Sequence, residues 1–398
     1  MRKGRYLEDP SQTKTNINQP SDTDHQKCSV EFTQAIKSFN MRFTYRRNVF
    51  VLLMLVVTLT TTMRTRGQSS EQQVSPLLTG HYMPGIMNIL DYADPAPVSG
   101  LMVFDFNTYQ FSHGFYGKDG KKMTEINGPS GQPLSLNVDV SGYCNTPMVL
   151  FVSKGKILGA TYFGGASISI VTVNTNLAYS SIGIHDSVHQ SGDISGKVSG
   201  LSDLCILPIF LSWGLKNLDL TAGYMVYAPT GKYSTGGSNN IGLGFWSNIF
   251  QFFGYWYPEK IKGQPSKALA IMLGGTFELT SKIIDAEVKP GNRFSLDYGI
   301  SQYVSDRFEV GVFGGNNWQV SHDKGNQVYW DASIRDRIGV CGIQLGYWLW
   351  ADRLQATAKY GFNYAAVEQF RQNIFELNLL FIANVLTGNK AAKAKSSK

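Results

Sequence analysis

The chain has 398 residues, 43% of them hydrophobic and 16% charged, against a charged fraction of about 25% in ordinary soluble proteins. Its formal net charge of +7 sits at the ends. Ahead of Gln68 there are 11 Lys and Arg against 5 Asp and Glu, and Lys390, Lys393, Lys395 and Lys398 close the chain, so residues 68–387 are slightly acidic and carry no basic stripe with interleaved aromatics that would serve a nucleic acid.

Residues 1–40 are polar and without pattern. Around Met41 the character changes: Arg42, Arg46 and Arg47 precede an apolar run over 49–59, and a polar exit over 60–68 follows with Gly67 as the small residue near cleavage. A bilayer helix needs about 20 apolar residues, so this run reads as a cleaved signal peptide over 41–67, with Met41 as the start of the precursor and 1–40 as a misassigned extension. Residues 68–99, rich in Pro, Gly and Asp, read as an irregular lead-in. Cys28 lies upstream of the signal, and Cys144, Cys205 and Cys341 read as small residues packed within strands.

From residue 100 to 387 the reading is all-β. About twelve strands, within a range of ten to fourteen, are expected near 101–112, 145–153, 156–172, 206–215, 218–228, 241–257, 268–281, 293–304, 308–318, 338–350, 354–366 and 373–386, followed by a basic tail over 388–398. In the last strand Phe375, Leu377, Leu379 and Phe381 share one face while Glu376 and Asn378 share the other, the period of two that a sheet imposes. Short turns at 154–155, 216–217, 305–307 and 351–353 alternate with longer loops at 174–205, 229–240, 282–292 and 319–337. Short turns on one rim and long loops on the other describe an up-and-down antiparallel transmembrane barrel.

A lysine turned to lipid at mid-membrane costs roughly 2 to 4 kcal/mol. Lys359 is therefore expected in the lumen, and with it Asp219, Glu278, Asp297 and Glu376. Aromatic clusters at strand ends, Tyr255, Trp256 and Tyr257 in one place and Tyr347, Trp348 and Trp350 in another, are expected in an interfacial girdle.

An enzyme would need a constellation of groups, and the sequence supplies none. His81, His113, His185, His189 and His322 are scattered through loops, linkers and strand ends; His185 and His189 have the spacing of two ligands on one helical turn, but an extended loop separates them too far and no third ligand is evident. There is no nucleophile elbow, and Val226 stands where the first glycine of a phosphate loop before Gly231-Lys232 should be. No catalytic residue, cofactor or metal is expected.

Gly200-Leu201-Ser202-Asp203, then Leu207-Pro208 and Trp213, then Ala228-Pro229-Thr230-Gly231-Lys232-Tyr233 with Asn240, Gly242 and Trp246, resemble a family of outer-membrane proteins associated with the meta-pathway of phenol degradation. Pro290-Gly291, Asp297-Tyr298, Gly311 and the stretch from Lys359-Tyr360 to Phe370 extend the resemblance over about residues 100 to 386. It implies a transporter-like barrel in the outer membrane of a Gram-negative bacterium and brings no catalytic residues. The partners expected are outer-membrane lipid, a small-molecule solute and the barrel-assembly machinery. The function expected is passage of small hydrophobic or aromatic solutes, with the lead-in over 68–99 or the segment 120–142 as a plug. A structural or adhesive barrel and an outer-membrane lipid enzyme are the alternatives; the enzyme would require an inward Ser with a His in the same layer.

Overall fold

The computed structural model describes residues 79–93, 99–127, 133–181, 191–235, 237, 239–259, 268–328 and 330–383. The signal segment and its cleavage site, residues 1–40, the basic tail, His185 and His189 lie outside the described residues. None of the described residues is helical.

The strands are, in order, β1 (Gly100–Ser112), β2 (Phe115–Tyr116), β3 (Glu125–Asn127), β4 (Pro133–Ile157), β5 (Ala160–Ser167), β6 (Ile170–Ser181), β7 (Ser191–Leu201), β8 (Leu204–Gly214), β9 (Leu218–Ala228), β10 (Ser247–Trp256), β11 (Ala270–Thr280), β12 (Arg293–Tyr303), β13 (Phe308–Gln319), β14 (Arg337–Trp350), β15 (Leu354–Val367), β16 (Gln369–Phe370) and β17 (Asn373–Ala383). Twelve of them close a ring in the order β1, β4, β5, β8 to β15 and β17, every neighbouring pair antiparallel; β1 seals it by pairing β4 on one edge and β17 on the other. Closure removes the free sheet edge that lipid would not tolerate.

Three sequence expectations are corrected. The first tight turn falls at Leu158-Gly159, not at 154–155: Lys156 and Ile157 go on pairing with Thr161 and Ala160, and the register shift after Val152 absorbs Lys154 and Gly155. Leu158 and Gly159 have φ of 52° and 77°, the double positive φ of a type I′ hairpin turn. Within 174–205, residues 174–181 and 191–201 are strand and not loop. β6 and β7 prolong β5 and β8 as a paired hairpin beyond the ring, and β6 also flanks the first half of β4. Finally, the end of 120–142 is strand and not loop, since Val140 to Gly142 already pair with β1 and Leu134 onward with β6.

Along β10, β11, β12 and β17 burial alternates residue by residue. The outward set is apolar, including Phe250, Phe252, Ile300, Ile343, Phe375, Leu377 and Phe381, all more than a third exposed. The inward set divides. On the arc from β9 to β17 it is largely polar, with Thr221, Gln251, Thr276, Ser295, Gln344 and Thr357; on the arc from β1 to β8 it is Phe104, Phe106, Leu150, Phe163 and Phe210. Two rings lie flat on cross-strand glycines: a Cβ at Gly223 would stand 2.1 Å from the Phe210 ring, and one at Gly274 2.1 Å from the Phe253 ring. Only glycine permits that closeness.

At the long-loop rim, Phe245, Ile283 and Val288 form a small buried cluster with Tyr233 and Trp330 packed around it. Three loops thus cap that end. Cys144, Cys205 and Cys341 are free thiols.

Candidate functional site: a plugged lumen

Residues 79–93 run through the ring from the long-loop rim to the short-turn rim. None of them belongs to a strand, so their backbone groups need partners elsewhere. The wall's inward side chains provide them. Glu278 accepts the N–H of His81 at 2.9 Å, and Asp297 accepts the N–H of Gly85 at 2.7 Å and the Tyr82 hydroxyl at 2.9 Å. The Lys359 ammonium donates to the carbonyls of Gly85, Ile86 and Met87 at 2.6, 3.0 and 3.0 Å. Gln344 accepts the N–H of Ile89 at 3.0 Å, and the Tyr255 hydroxyl that of Tyr92 at 3.2 Å. The Thr221 hydroxyl donates to the Tyr92 carbonyl at 2.6 Å. Apolar contact adds to this: Tyr92 stacks on Phe253 with centroids 4.4 Å apart, and Ile89 is buried in the main core.

The charged residues expected in the lumen are all buried. Asp219, Glu278, Asp297, Lys359 and Glu376 are each no more than 6% exposed. Lys359 lies 3.1 Å from Glu376 and over the Phe313 ring at 4.6 Å, while Asp219 accepts the Tyr257 hydroxyl at 2.8 Å. Asn378 bridges Glu376 and the plug residue Asn88 at 3.0 Å each. Five of the six girdle candidates also belong to strands, and alternation sorts them. Trp256, Tyr347 and Trp350 face outward, 43%, 45% and 58% exposed. Tyr255 and Tyr257 are instead fully buried inside, as alternation requires of the neighbours of an outward Trp256. Trp348 also turns inward, its indole N–H donating to the Tyr303 hydroxyl at 2.9 Å.

Reading the sequence missed His81. Its ring lies 2.7 Å (Nδ1) from the Ser247 hydroxyl and 3.0 Å (Nε2) from Asp203, stacked on Tyr227. Ser, His and Asp therefore meet after all, with the His supplied by the plug. The arrangement is a latch in its hydrogen bonding: the Ser247 hydroxyl donates to Glu278 at 2.6 Å, so both ring nitrogens face acceptors and donate, the pattern of an imidazolium between two carboxylates. Ser247 is fully buried. A nucleophile would need its hydrogen directed to the imidazole and a face open to substrate.

Asp203 lies between β7 and β8, outside the ring's strands. Burial would raise its carboxyl, but the hydrogen bond from His81 and the N–H groups of Leu243 and Gly231 outweigh that and hold it below the usual carboxylate range. A carboxyl depressed in the folded state contributes stability above its unfolded pKa of about 3.9, and the contribution is lost as pH falls through the lower folded value. In urea unfolding from detergent micelles, the wild type should lose more stability than Asp203→Asn does as pH falls below about 4, the unfolded carboxyl value. Equal losses would show that Asp203 does not hold the latch.

Between plug and wall, toward the short-turn rim, lies a cavity of about 140 Å³. Phe104, Leu150, Val152, Phe163 and Leu380 line one side, and Asp91, Tyr303, Glu309, Gln344, Trp348 and Gln355 the other. Among the described residues no group of three His, Cys, Asp or Glu is placed to hold a metal ion.

The fold matches that of a solved outer-membrane channel. The COG4313 outer membrane channel from Pseudomonas putida F1 aligns over 76% of this chain and 100% of its own, with 16% identity and a TM-score of 0.54. A FadL homologue from Pseudomonas aeruginosa aligns over 71% and 90%, with 10% identity and a TM-score of 0.35. At 16% identity the likeness to the channel is one of fold. No curated protein matches the chain. The sequence profile of the family described as "Putative MetA-pathway of phenol degradation" matches residues 124–379, more than half of the chain, and the chain belongs to that family.

Proposed function

We propose that this barrel, exported through the signal segment and seated by the barrel-assembly machinery in the outer membrane of a Gram-negative cell, passes small hydrophobic or aromatic solutes when its plug shifts. The long-loop rim faces outward and the short-turn rim the periplasm, the usual arrangement for such barrels. The observation that carries the reading is how the plug is attached. It is held by wall side chains and takes no part in the strand ladder, so it can move without unpairing a strand. One arc of the lumen it fills is apolar, a surface on which a hydrophobic solute loses little in leaving water.

The hairpin of β6 and β7 is the feature that speaks for an adhesive barrel. Its residues 170–181 and 191–201 are mostly Ser, Thr, Gly, Asn and aliphatic, with a single aromatic, Tyr179. Sticky surfaces are richer in Tyr, Trp and Arg, which favours transport.

The test uses proteoliposomes holding the full chain or the same chain lacking 79–93. The intact protein should pass a neutral one-ring aromatic and exclude a sugar of similar mass, and the deletion should raise ionic conductance several-fold. Absence of aromatic flux, or conductance that ignores the deletion, would overturn the proposal.

A further inference from the structure

Two carboxylates in the lumen, Glu309 and Asp91, form no ion pair among the described residues. Glu309, 1% exposed, accepts from Ser301 at 2.5 Å and Gln344 at 2.9 Å on one oxygen and from Gln355 at 3.3 Å on the other, with the Tyr303 hydroxyl also hydrogen-bonded to the carboxyl. Asp91 accepts only from Asn88 of its own turn, at 2.9 and 3.3 Å. Among the described residues no Lys, Arg or His lies within ion-pair distance of either. The lumen's Lys359 is engaged by Glu376 and three plug carbonyls. Both carboxylates face the cavity of about 140 Å³ whose opposite side is Phe104, Leu150 and Phe163.

A carboxylate in dry surroundings is costly unless a cation answers it. The space matches one ring, since an apolar cavity of about 150 Å³ holds benzene. We propose that this cavity is a recognition site for a one-ring aromatic carrying a protonated amine. The ring lies against Phe104 and Phe163, and the ammonium is directed at Asp91 and Glu309. The same two groups repel an aromatic carboxylate of equal size, so the site sorts solutes by charge as well as by hydrophobicity. This deepens the transport reading and rests on it for its biological meaning.

Three probes share one body and differ in charge: benzylamine, benzyl alcohol and benzoate. Each is titrated into the full chain in detergent micelles, with tryptophan emission as readout because Trp348 lines the cavity. Benzylamine should bind about tenfold or more tightly than benzyl alcohol, the scale of a hydrogen bond to a charged group, and benzoate should give no response. Glu309→Gln and Asp91→Asn should each weaken benzylamine about tenfold and leave benzyl alcohol nearly unchanged. Asp91 lies on the plug, so D91N keeps the barrel wall whole even where E309Q fails to fold. Benzoate or benzyl alcohol matching benzylamine, D91N binding it as well as the wild type does, or a signal unaltered by Trp348→Phe would each overturn the proposal. Flux separates the two readings. Charge-selective binding without aromatic flux would sink the transport reading and leave this site standing, whereas aromatic flux without amine preference would do the reverse.

Discussion

Replacing Lys359 with methionine is expected to cost about 3–5 kcal/mol, the penalty for removing one partner of a buried ion pair. The substitution leaves Glu376, 6% exposed, without its cation at 3.1 Å, and strips the carbonyls of Gly85, Ile86 and Met87 of a shared donor. The plug's central turn should then come loose before the wall does. Urea unfolding in micelles reads the first effect, and single-channel recording reads the second as frequent brief openings absent from the wild type. The double variant Lys359→Met with Glu376→Leu should recover much of the stability, because an apolar pair of similar volume replaces a buried ion pair at little cost, yet keep the noisy conductance. A single variant within about 1 kcal/mol of the wild type and electrically silent would show that Lys359 does not anchor the plug.

Arginine in place of Leu377 should cost about 2–4 kcal/mol when the barrel is folded into a bilayer. Leu377 is 56% exposed and sits midway along β17 between the outward Phe375 and Leu379. At an equally exposed position of a water-soluble barrel, such a change falls within about ±0.5 kcal/mol. Folding equilibria measured in lipid therefore discriminate between the two solvents directly. A negligible penalty would mean that this face does not meet acyl chains.

The wall was readable in the sequence wherever one face met lipid and the other a filled lumen. In β12, β15 and β17 that contrast forces strict alternation, and the cost of exposing Lys359 or Glu376 to lipid fixes which face is which. Beyond the ring the contrast ends, and so does the pattern. β6 and β7 are rich in Ser, Thr, Gly and Asn because nothing there requires an apolar face, and they look like a loop. The turn at Leu158-Gly159 was hidden by a leucine where Asn or Asp is usual. Tyr255 and Tyr257 lie inside because neighbours in a strand point opposite ways, which overrides the interfacial preference of an aromatic cluster. The plug had no period to read. Its partners are far off in the chain, as with His81 and Glu278 or Asn88 and Asn378, and such pairings follow from the ring's closure.

The order of the chain gives that closure a further meaning. The plug precedes β1, and β17, which seals the cylinder against β1, brings Glu376 and Asn378, the groups that neutralise Lys359 and grip Asn88. Threading the segment after sealing would require it to pass a finished cylinder already narrowed by inward side chains. Biogenesis is simplest if the seam zips around a segment already in place, so that the final strand joins the first and inspects the cargo in a single step; a nascent chain with an empty centre would seal over an unanswered charge and be the slower to mature.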